Sequence, residues 1–208
     1  MTIAIAAILI ATVVGLLIYM FKQKPATTAQ QLIQLGRYEE AVQAAANDPL
    51  HRAEALKLLG RFEEAIDAYR QSDDPAAREG VALSLAHLNR NLDEAQKLME
   101  EQITLFPQIQ EFQALGLAYI LLRAGKRDEA MRIFRDNVEL LETRFRDDYT
   151  DPDPLLAETL FMYAELSGDA SLRAKAAAWA PGSVWAGARA SRPQSPGVPP
   201  GDSRPIAQ

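Results

Sequence analysis

The chain has 208 residues, a formal charge of −6 and a pI near 5.1. That acidity, with no basic stripe to offset it, sets aside nucleic-acid binding. There is no cysteine, which excludes disulfides, thiolate metal sites and cysteine nucleophiles and leaves the redox compartment open. Leu and Ala dominate while aromatics make up 7%, a balance that suits helices better than sheets.

The first element is apolar. Thr2 to Phe21 reads TIAIAAILIATVVGLLIYMF and carries no charge. Its 20 residues, if helical, rise about 30 Å, the thickness of a bilayer's hydrocarbon core. A transmembrane anchor is therefore expected over residues 1–24. Lys22 and Lys24 follow the span, Pro25 closes it, and Tyr19 and Phe21 stand where interfacial aromatics belong. A cleaved signal peptide would need a basic segment ahead of a shorter apolar core, and no Lys or Arg precedes this one. Because positive flanks stay in the cytoplasm, the expectation is a single-pass membrane protein with its N-terminus outside and the repeat domain cytoplasmic. Ala7, Ala11 and Gly15 recur every four residues, a stripe suited to packing against another transmembrane helix. The plainer reading is that small residues are simply tolerated there. Membrane lipid and other spans are the partners expected of this segment.

Residues 25–180 read as helix after helix, and one phrase returns along them. It is Leu35-Gly-Arg-Tyr-Glu-Glu-Ala41, then Leu59-Gly-Arg-Phe-Glu-Glu-Ala65. Looser forms are Leu88-Asn-Arg-Asn-Leu-Asp-Glu-Ala95 and Ala124-Gly-Lys-Arg-Asp-Glu-Ala130. Gly or Asn ends one helix by adopting positive φ. The acids that follow complement the dipole of the next helix, and Ala lets that helix pack closely on the previous one. Apolar residues at helical intervals, such as Met131, Phe134, Val138 and Leu141, mark core-facing stripes.

These phrases resemble the tetratricopeptide-repeat family. The second unit supplies Ala53, Leu56, Gly60, Phe62, Ala65 and Tyr69; the third Leu92, Ala95, Met99 and Pro107; the fourth Ala118, Gly125, Ala130 and Phe134. The alanines at 41, 65, 95 and 130 are spaced 24, 30 and 35 against a family period of about 34, so the first units have shortened helices. A degenerate pair near 154–167 and 170–180 reads as a cap. The resemblance implies an α-solenoid of antiparallel helix pairs whose first helices line a concave protein-binding surface; with the apolar span ahead of it, the expected fold is all-α, an N-terminal transmembrane helix followed by that solenoid. Carried over position by position, that surface takes Asn47, Leu50, Glu54 and Lys57 from the second unit. It takes Ala77, Gly80, Ser84 and His87 from the third, and Phe112, Leu115, Tyr119 and Leu122 from the fourth. The fourth set is apolar and equally suits burial against the cap.

Little else in the chain carries chemistry. The two histidines, His51 and His87, stand alone, and there is no phosphate loop, zinc helix or nucleophile elbow. No catalytic residue, cofactor or metal ligand is expected. The acidic stretch from Asp147 to Pro154 lacks the spacing and glycine of a calcium loop; Asp153 instead reads as a cap for a helix beginning at Pro154. From Pro181 to Gln208, 10 of 28 residues are Pro or Gly, and a flexible tail is expected over 181–208, with Trp179 and Trp185 pinning its start. The function that follows is a membrane-tethered scaffold or adaptor for other proteins, in the assembly of a membrane complex. The alternative is a permanent structural subunit of such a complex, held by its transmembrane helix.

Overall fold

A computed structural model describes residues 27–147 and 151–187. The span expected over Thr2–Phe21, its Ala7, Ala11 and Gly15 stripe, and the tail beyond Gly187 lie outside the described residues. Among the described residues there are only α-helices and two short 3-10 turns, with no strand. None of these helices is long and apolar enough to cross a membrane.

The helices are α1 (Ala29–Gln34), α2 (Tyr38–Ala44), α3 (Pro49–Leu58), α4 (Phe62–Tyr69), α5 (Ala77–Leu88) and α6 (Leu92–Leu105). They continue as α7 (Gln110–Arg123), α8 (Arg127–Asp147), α9 (Ala157–Ser167), α10 (Ala170–Trp179) and α11 (Val184–Gly187). Their starts are written locally. Thr28 and Gln31 cap α1 reciprocally, and Asp48 accepts from the His51 amide with Pro49 in the first turn of α3. Asp153 accepts from the Leu155 amide ahead of α9, as the sequence suggested.

The repeated phrase is a helix stop. Gly36, Gly60 and Gly125 have φ of 72°, 74° and 77°, and Asn89 has 54°. At each, the next amide reaches back five residues, as in the 2.9 Å bond from Arg61 N to Leu56 O. This is the left-handed C-terminal motif that satisfies the last carbonyls of a helix. The acids then open the following helix, and Arg37 and Arg61 pair with Glu40 and Glu64 one turn on. Ala41, Ala65, Ala95 and Ala130 are all fully buried at 0% exposure, which is why a larger residue has no room there.

Each helix from α1 to α7 packs on the next, and the first helices of successive pairs also touch: α1 on α3, α3 on α5, α5 on α7, α7 on α9. That second set of contacts gives the pairs a common inner face. Helices α5 and α7 are enclosed on nearly every side, with Gly80 to Ala86 and Gln113 to Leu121 buried without interruption, as expected of helices flanked by neighbours.

The C-terminal segment departs from simple stacking. The cap helices fall where expected, but packing continues past residue 180 to Gly187. The segment from Asp153 to Gly187 crosses the inner face. Gln34 on α1 donates to Asp153 at 3.1 Å, Glu158 meets α3 and α5, and the turn at Gly60 abuts Val184.

Candidate functional site: the inner face of the repeats

Three first helices each send one polar side chain into a single network: two of them reach one carboxylate and the third reaches it through the histidine. Lys57 of α3 donates to Glu158 Oε2 at 2.5 Å, and His87 Nε2 of α5 lies 2.7 Å from Glu158 Oε1. The Tyr119 hydroxyl of α7 lies 3.1 Å from His87 Nδ1. With Nε2–H donating to the carboxylate, Nδ1 is the acceptor for the tyrosine O–H, so the network fixes the imidazole tautomer. These groups are out of water: side-chain exposure is 13% for Lys57 and 5% for both His87 and Glu158.

Burial alone would raise the Glu158 carboxyl, but the Lys57 ammonium and the His87 hydrogen bond outweigh it and bring its pKa down to about 2. Burial likewise opposes the charge on Lys57, and the Glu158 carboxylate overrides it, holding the ammonium above the ordinary lysine value. Burial pushes the Tyr119 hydroxyl up to about 12. An aromatic shell excludes water from the centre. Phe62 stacks on the His87 ring at 5.0 Å between centroids, Trp185 stands 4.8 Å from it, and Phe161 lies 5.0 Å from Trp185.

The sequence-derived surface residues therefore divide. Lys57, His87 and Tyr119 do share one face, but the chain's own C-terminal segment covers them. Their reading as open surface positions is corrected, because α9 and α11 fill this part of the groove. Ser84 is 0% exposed in the core, with no partner for its hydroxyl; the enclosed helix α5 offers it no solvent face. Asn47 lies in the exposed turn before α3 and not on a first helix. Glu54 does reach open space.

That space is a cavity of about 310 Å³ beside the buried network. Leu50, Glu54 and Lys57 of α3 form one wall and Glu79, Gly80 and Leu83 of α5 another; Ile109 and Phe112 lie toward α7, and Leu155, Leu156 and Glu158 close the far side. Gly80 admits the Tyr69 ring, whose atoms would come within 2.3 Å of a Cβ there. Ile109, 38% exposed, stands at the rim. Glu54 and Glu79 are half-buried, and burial raises both carboxyls despite the partial offset from Lys57. Among the described residues no group of three His, Cys, Asp or Glu is placed to hold a metal ion.

Glu158, Phe161 and Trp185 close the groove; sequence reasoning missed the first two, and it expected Trp185 to pin the start of the tail without placing it against His87. One signal was available: Glu158 is an acid at the start of a nearly apolar helix, AETLFMYAEL, and a buried acid requires a cationic partner.

An array of helix pairs closed by left-handed residues, with its first helices on a common face, is an α-solenoid. Residues 50–74, spanning α3, α4 and the turn after them, match the tetratricopeptide repeat, so this part of the array is similar to that family. Such repeats generally mediate binding to other proteins. No curated protein and no solved structure matches the chain significantly.

Proposed function

We propose that this protein is a membrane-tethered, non-catalytic scaffold that holds a segment of a partner protein on the inner face of its repeats, in assembly of a membrane complex. The carrying observation is the cavity between α3 and α5. It is the part of the inner face that the C-terminal segment leaves open, and it joins an apolar rim to two carboxyl groups. The match at residues 50–74 supports the binding role, and the uncharged stretch Thr2–Phe21 supports the tether.

The binding role is tested by crosslinking in native membranes. A photoreactive residue at Ile109 or Leu155, on the cavity rim, should join the full-length chain to a defined partner. The same residue at Glu64 or Asp67, on the exposed side of α4, should not. Equal products from both faces, or none from the rim, would sink the scaffold reading and favour a permanent subunit held by its span. The tether is tested separately: the chain should resist carbonate extraction, and a reporter after Gln208 should be active on the cytoplasmic side.

A further inference from the structure

The scaffold role leaves open what kind of side chain the cavity receives, and the inference here rests on that role. The cavity walls carry three carboxyl groups, Glu54, Glu79 and Glu158, and one ammonium, Lys57. Glu158 is engaged through both oxygens, one on Lys57 and one on His87. Lys57 is thereby committed as well. Glu54 and Glu79 remain. Among the described residues neither has a cation within ion-pair distance, and burial holds both carboxyls above their ordinary range.

A second observation comes from α7. Gln113 is 1% exposed, and neither its amide nitrogen nor its amide oxygen has a hydrogen-bond partner. It lies close enough to Glu79 to favour that carboxylate, though not in hydrogen-bonding geometry. Buried amides are ordinarily satisfied; here a neutral amide stands beside the Glu79 carboxyl and no cation pairs with it, so the fold is polar there without supplying the counter-charge.

We infer that the cavity takes a lysine or arginine side chain from the bound protein segment, its cationic head between Glu54 and Glu79 and its aliphatic stem along Leu83 and Phe112. Such a side chain is itself apolar along its stem and charged at its tip, which matches the lining. At about 310 Å³ the space is at the small end of ligand pockets, which run from about 300 to 1,000 Å³. It admits a side chain, not a helix. A divalent ion fits less well, since the described residues offer no third metal ligand there.

The test uses the full-length protein and fluorescent nonapeptides that differ only at a central residue flanked by leucines: lysine, norleucine or glutamate. The lysine peptide should bind, and the norleucine peptide at least tenfold more weakly. The Glu54→Gln and Glu79→Gln double variant should lose the same factor for lysine and nothing for norleucine. It should melt no lower than the parent, because it removes two uncompensated carboxyls. Equal affinity for lysine and norleucine, a preference for glutamate, or no binding by any peptide overturns the cation site, and rim crosslinks would still stand as evidence for the scaffold. Missing rim crosslinks remove the scaffold itself, whatever the peptides do. If lysine binds only after Arg189, Arg192 and Arg204 are changed to Ala, the chain's own C-terminal segment is the occupant, and the partner side chain is overturned.

Discussion

The two ends of the inner face hold the same chemical group in opposite conditions. At the closed end, Glu158 is nearly dry yet acidic, its pKa brought down to about 2 by Lys57 and His87. At the open end, Glu54 and Glu79 keep some water but have no cation at ion-pair distance, and burial raises both carboxyls. A buried carboxyl is therefore not a function by itself. What separates structure from a candidate site is whether the fold supplies the counter-charge. Where it does, the groove has become core; where it does not, room is left for a ligand.

The largest expected effect breaks the closed end. Lys57→Met strands Glu158 in a dry site, and removing one member of a buried pair should lower stability by about 3–5 kcal/mol. Adding Glu158→Leu should restore most of that loss, since two apolar residues can replace a buried pair at little net expense. Chemical unfolding of the full chain reads both. A double variant no more stable than the single one would mean that the pair does not hold the C-terminal segment down.

Next in size is the turn beneath that segment. Gly60 has φ of 74°, and a Cβ there would stand 3.1 Å from Val184. Gly60→Val combines left-handed strain with overpacking and should lower stability by about 2–4 kcal/mol. Gly125 has nearly the same φ, 77°, with nothing within 4 Å of a Cβ. Gly125→Ala should therefore show backbone strain alone, about 1–2 kcal/mol. Equal losses at the two sites would mean that Val184 does not rest on α3.

Acid titration compares the two ends directly. Glu158 has a folded pKa below the ordinary 4.5, so its contribution is complete above 4.5 and is lost as pH falls toward 2. Glu54 and Glu79 are raised, so protonating them in the folded state adds stability as pH falls toward 4.5. Stability should first rise on acidification and then fall. Glu54→Gln with Glu79→Gln should remove the rise, and the Lys57→Met, Glu158→Leu pair should flatten the fall. A monotonic curve unaffected by either pair would show that these carboxyls titrate normally.

Much of this architecture was legible in the sequence because it is local. A glycine before a basic residue and two acids specifies its own turn, and an alanine with no room around it marks a helix crossing; both recur in the first two units, and their looser forms still work. The cap was legible from Asp153 and Pro154. The contents of the groove were not. Lys57, His87 and Tyr119 were correctly grouped by position, but Glu158 lies 101 residues beyond Lys57 in sequence, and no local pattern announces such a pairing. Residues 181–187 were assigned to a flexible tail on their Pro and Gly content. Yet Trp185, 5% exposed, packs against His87, Phe62 and Phe161, long-range contacts that the Pro and Gly content does not register. The cavity was illegible for the same reason, because its far wall is the returning segment.

The smallest effect sharpens the comparison most. Arg61 and Glu64 approach to 2.5 Å on the outer side of α4, the same separation as Lys57 and Glu158. Their side chains are 38% and 52% exposed, against 13% and 5% for the inner pair. Water screens the outer charges and solvates each one when its partner is removed, so Glu64→Ala should leave the unfolding midpoint unchanged within error. If separation alone set the strength of an ion pair, Glu64→Ala and Lys57→Met would shift the midpoint equally. The expected contrast has a different origin: Glu158 has no water to return to, because α9 carried it across the inner face and Trp185 and Phe161 closed over it. A measurable loss at Glu64 would instead place the outer face of α4 against something that excludes water, and that surface would then rival the cavity as the place where a partner sits.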